Sequence, residues 1–87
     1  MNIDGEVLSE GQVLTRLTAA RRVARDGTGR RVRLAVGASL SEIGRACGVS
    51  KGSVCKWEHG QREPAGEHGV RYWAIISALA ATLGEAQ

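Results

Sequence analysis

Eleven of the twelve Lys and Arg residues lie between positions 16 and 62, a span with only three carboxylates, Asp26, Glu42 and Glu58. The flanks are acidic. Asp4, Glu6 and Glu10 have no base beside them in residues 1–15, and Glu63, Glu67 and Glu85 meet only Arg71 in residues 63–87. The net charge of +3 therefore hides a block of +8 between segments of −3 and −2. Clustered Lys and Arg bind phosphate, and such a block is the electrostatic footprint of a nucleic-acid partner. A solvated helical face is the plainer reading of any one Arg cluster; a motif in the same span shifts the balance to phosphate.

Other chemistries find no support in the residue types. There is no Ser/His/Asp set and no glycine-rich phosphate loop after a strand, so an enzyme is not expected, and His59 and His68 stand too far apart to argue catalysis. Cys47, Cys55, His59 and His68 lack the close Cys or His pairs of a zinc site. No metal, cofactor or small-molecule ligand is therefore expected. Both cysteines read as reduced and partly buried.

Eighty-seven residues suit one small domain with a modest core. With no Phe, one Tyr and abundant Ala, Leu, Arg and Glu, the composition favours helices over strands, so the expected class is all-α. No apolar run of about 18 residues exists, which excludes a membrane-spanning helix. The first residues lack the basic and apolar regions of a secretory signal, and a cytoplasmic protein is expected.

Residues 1–8 read as a flexible start to a single domain over 9–87. Ser9 can cap a helix to about Arg25, with Val13, Leu14, Leu17, Ala20 and Ala24 as an apolar stripe. Asp26-Gly27-Thr28-Gly29 breaks it, and Thr28 can cap a second helix over 29–36 that Gly37 ends. One long helix through both glycines is the competing reading. Ser39 and Glu42 form a capping box for a helix over 40–47, and Ser50 caps the next. Gly60 stops that helix, residues 61–66 form a loop, and a last helix over 67–83 carries Val70, Trp73, Ile76, Leu79 or Ala80, and Leu83.

The segment 40–60 thus holds two short helices meeting at Gly48-Val49. Gly44 permits close backbone approach, Gly48 supplies a left-handed turn, and Val54 and Trp57 share a buried face. This is a helix-turn-helix, which leaves its second helix free to enter a DNA major groove.

Residues 29–64 resemble the Cro and phage-repressor (XRE-type) helix-turn-helix family. The matches are Ser39 with Glu42, Gly44 and Gly48 four apart, Gly48-Val49-Ser50, Val54-x-x-Trp57-Glu58-x-Gly60 and Arg62-x-Pro64. Together they cover about two fifths of the chain. The resemblance implies a compact five-helix bundle of the lambda-repressor-like kind, with residues 51–59 as the recognition helix. It also implies a structural pair between Arg33 and Glu58.

On that frame, Lys51, Gly52, Ser53 and Lys56 are the candidates for base edges, since Lys can donate to guanine O6 and N7. Phosphate contact or plain solvation is the other reading of the lysines. Gly52 departs from many relatives, in which a side chain at that position contacts a base; here none can, and the helix is weakened by up to about 1 kcal/mol relative to Ala. Ser39, Ser41, Ser50 and Arg62, with Arg30, Arg31 and Arg45, are the phosphate candidates. Arg21, Arg22 and Arg25, with Arg16, could reach flanking DNA or merely solubilise their helix. Trp73, Ile75 and Ile76 pack the core by default, and any exposed remainder on the C-terminal helix would serve a homodimer.

The expected function is a double-stranded-DNA-binding transcriptional regulator, a small repressor or Cro-like protein of phage or mobile-element type. Two other readings stay open: an antitoxin that binds DNA and a protein toxin, and a recombination directionality factor or other architectural DNA-binding protein.

Overall fold

The computed structural model describes residues 1–85, which form five helices and a small antiparallel strand pair. The helices are α1 (Glu10–Arg25), α2 (Thr28–Val36), α3 (Leu40–Cys47), α4 (Lys51–Glu58) and α5 (Gly66–Glu85). Among the described residues, no helix is long and apolar enough to cross a membrane.

Local signals set most of the boundaries. Ser9 and Ser39 each accept a hydrogen bond from the backbone three residues on, and Gln12 and Glu42 return it, closing capping boxes on α1 and α3. Ser50 Oγ accepts from Ser53 N–H at 3.2 Å to start α4. The chain breaks between α1 and α2, so one continuous helix does not form. The expected cap differs, however. α2 begins at Thr28, preceded by left-handed Gly27 with no side-chain cap. Asp26 Oδ1 takes the Thr28 N–H at 2.8 Å instead, because a carboxylate two residues back reaches the amide that Thr28 cannot cap for itself.

Residues 1–8 correct the expectation of a flexible start. Asn2–Ile3 (β1) pairs with Glu6–Val7 (β2) across Asp4-Gly5, both with positive φ. Asp-Gly is the preferred pair for such a tight turn. Ile3 and Leu8 are buried with Val70 and half-buried Val13, while Arg16 of α1 holds Glu6 at 2.9 Å. The hairpin is thus fastened to α1 and α5 by both an apolar and a charged contact.

α5 crosses behind α1, α2 and α3 and supplies the centre of the core. Ala20, Ala24, Ile43, Cys47, Val54, Trp57, Tyr72 and Ile76 are all buried there. On the apolar stripe expected for α5, Val70 and Ile76 are buried and Trp73, Leu79 and Leu83 half-buried, and Tyr72 joins them. Tyr72 is fully buried, whereas Trp73 is only half-buried. Tyr72 meets Trp57 edge to face, with ring centroids 5.2 Å apart. Burial pushes its phenol far above the ordinary value of 10.0.

The Tyr72 hydroxyl has no hydrogen-bond partner among the described residues. It lies against Gly29 of α2, where any Cβ would collide with it. Gly29 is therefore a packing residue as well as a break in the α1 pattern. Gly29→Ala is expected to lower stability by about 1–3 kcal/mol, the scale of overpacking. Tyr72→Phe should be close to neutral alone and should recover part of the Gly29→Ala loss. Chemical denaturation of the single and double variants measures that coupling.

Candidate nucleic-acid interface

The closest backbone approach in the candidate site is at Gly44. A Cβ there would stand 2.8 Å from the Val49 carbonyl oxygen and 3.1 Å from the Ser50 carbonyl carbon. Only hydrogen at this position lets the start of α4 pack against α3. Gly48 takes left-handed backbone (φ 80°), and Val49 N–H donates back to the Gly44 carbonyl at 2.8 Å. Val54 and Trp57 then turn one face of α4 into the core. The opposite face is left to solvent.

A buried ion pair fixes that presentation. Arg33 of α2 donates through Nε and Nη2 to Glu58 of α4 at 2.6 and 2.9 Å, and through Nη1 to the Ala38 carbonyl at 3.1 Å. The Glu58 side chain is only 2% exposed. Its hydrogen bond raises the Arg33 pKa above the ordinary guanidinium value, against the opposing effect of burial. A second brace comes from α5. His68 Nδ1–H donates to the Cys47 carbonyl at the end of α3 (2.8 Å). Arg71 pairs with Glu67 and reaches Asp4 of the hairpin at 3.8 Å. Residue type alone gives neither His68 nor Arg71 a role. Their shared α5 face with Tyr72, at i, i+3 and i+4, was the available signal.

The structure divides the basic residues into two groups. Arg16 is bound to Glu6 and lies over the Trp73 ring (5.6 Å). Arg21 donates to the Pro64 carbonyl at 3.3 Å and approaches Glu63, which also lies 3.9 Å from Arg25. Arg21, a candidate for flanking DNA, ties the 61–64 loop to α1 through Pro64 and Glu63, whereas Arg25 stays exposed beside Glu63. Arg30 is exposed, at 4.0 Å from Glu58, and Arg31 is held by Thr28 Oγ1. Arg22, Arg45, Lys51, Lys56 and Arg62 are exposed and have no side-chain partner among the described residues. Four of those five lie on residues 45–62.

The remaining candidates fall as follows. Ser39 and Ser50 are exposed caps, and Ser41 is exposed on the first turn of α3. Ser53 is half-buried, with its hydroxyl 3.2 Å from that of Ser50, so it sits at the edge of the α4 face. Cys55 is half-buried in α4, while burial pushes the Cys47 thiol up to about 11. On α5, Ile76 is buried and Ile75 half-buried, which leaves part of Trp73 as the bulky surface, in a shallow groove with Gln12, Thr15 and Ala19.

Among known proteins, no family model, curated protein or solved structure matches the chain.

Truncating Arg33 to Ala strands a buried carboxylate and should cost about 3–5 kcal/mol in denaturant unfolding. An Arg33→Met, Glu58→Leu pair should recover most of that loss. The Glu42 carboxyl, held by Ser39 N–H and hydroxyl, lies below its ordinary 4.5. Stability linked to it is present above 4.5 and lost as pH falls through the lowered folded-state value. Glu42→Gln should therefore flatten the acid limb of a stability-versus-pH curve.

Proposed function

We propose that this protein is a sequence-specific double-stranded-DNA-binding regulator that places α4 in the major groove, a small repressor or Cro-like protein. The observation that carries this reading is the division of its cations. The arginines that meet carboxylates are spent holding helices and hairpin together. Of the five without a side-chain partner among the described residues, Arg45, Lys51, Lys56 and Arg62 lie along the helix-turn-helix and only Arg22 lies on α1.

The dimensions support the same reading. A helix with its side chains is about 10–12 Å across, and the major groove is about 12 Å wide. α4 is anchored from behind by Val54, Trp57 and Glu58, so its outer face can enter a groove without dismantling the core. Lys56 is positioned to donate to a base edge, Lys51 to a base edge or the adjoining phosphate. Arg45 and Arg62, with the amides at the start of α3, would hold the flanking phosphates. A second copy of the chain, docked through the Trp73 side of α5, would supply the other half-site of a two-fold operator.

Selection of bound duplexes from random DNA tests the proposal, with recovery of a defined sequence expected. Inverted repeats about one helical turn apart would indicate the symmetric dimer. The Lys51→Ala, Lys56→Ala double variant should lose discrimination between the selected site and random DNA. Equal loss of affinity for both would assign the lysines to phosphate alone, and no binding by the intact protein at low salt would overturn the reading.

A further inference from the structure

Of the twelve glycines, six adopt left-handed backbone, and Gly29, Gly44 and Gly69 are crowded by neighbouring atoms. Gly52 belongs to neither group. It sits inside α4 with ordinary helical backbone, and a Cβ there would meet only Ser50 Oγ, at 3.7 Å. The fold has room for a side chain at this position and does without one. The omission carries an energetic penalty, since glycine in a helix is less favourable than alanine by up to about 1 kcal/mol.

The direction of that bare position is informative. At about 100° per residue, Gly52 is rotated roughly 200° from Val54, which is fully buried. It therefore occupies the middle of the outward face, with exposed Lys56 one turn further along the same face. The point of α4 that projects furthest from the core is the one with no side chain. Lys51 precedes it in sequence, and Lys56 follows one turn later.

We propose that Gly52 sets the depth at which α4 seats in double-stranded DNA, meeting the base edges with bare backbone so that Lys56 and Lys51 reach them from a shallower standoff. This inference rests on the DNA-binding reading above. Gly52 is a positioning residue in it: it donates nothing from a side chain, and its contribution is the distance it permits. A single methyl would lift the helix by roughly one C–C bond, ~1.5 Å. That displacement is enough to break a hydrogen bond whose useful range spans only about 0.5 Å.

The test uses the full chain, the duplex selected by the intact protein, and a random duplex. Gly52→Ala should leave thermal stability equal or higher, because the methyl has space and favours helix. It should weaken binding to the selected duplex by about tenfold or more, the scale of one overpacked methyl, while affinity for random DNA changes less. Gly52→Ser should move binding in the same direction. Unchanged affinity and discrimination in Gly52→Ala, with Lys51→Ala, Lys56→Ala still impaired, would overturn the role of Gly52 and leave the DNA reading standing. Failure of the intact protein to bind any duplex would overturn both.

Discussion

The Arg33–Glu58 pair is the constraint on which the arrangement of the helix-turn-helix rests. A carboxylate this deeply enclosed is tolerated only because a guanidinium meets it with two hydrogen bonds. The third bond from Arg33, to Ala38, ties the same group to the chain between α2 and α3. Three segments are therefore fixed by one side chain. The geometry needed for that pairing sets the position of α4 more narrowly than apolar packing at Val54 and Trp57 could alone, since apolar contacts have no direction.

Around this pair the charged residues divide by what lies within reach. Acidic residues from the flanking segments fold back onto the basic block, Glu6 onto Arg16 and Glu63 onto Arg21 and Arg25, while Asp4 and Glu67 meet Arg71 of the C-terminal flank. Most of these pairs are partly exposed, where each contributes little to stability. Their larger consequence is electrostatic. They offset part of the basic charge on α1 and leave Arg45, Lys51, Lys56 and Arg62 without a carboxylate partner among the described residues.

Helix boundaries were largely legible in the residues because caps act locally. Ser39 with Glu42, Ser50, and the left-handed glycines at 37 and 48 each satisfy backbone groups within a few positions in the chain. The hairpin was written as plainly, in Asp4-Gly5 between Ile3 and Val7, but strands two residues long carry too little alternation to stand out. What made it visible was burial of Ile3 and Leu8 against Val70, sixty-odd residues away. On α5 the burial of Val70 and Ile76 was legible and that of Tyr72 was not, for a related reason. Several registers of that helix are apolar, and only the edge contact with Trp57 selects Tyr72 for the centre.

The candidate site follows the same division. Residue type and spacing alone determined the helix-turn-helix, its two helices, and the concentration of positive charge over it, because each depends on neighbours close in sequence. Tertiary structure decided which cations are consumed by carboxylates and which glycines are required by packing, since both depend on partners brought together from distant segments. It drew Arg21 onto a loop, set His68 against the end of α3 and Arg71 between Glu67 and the hairpin, and showed Gly52 to be open where Gly44 is closed. Sequence can place a charge or a gap on a helix; only the packed chain shows whether something already fills it.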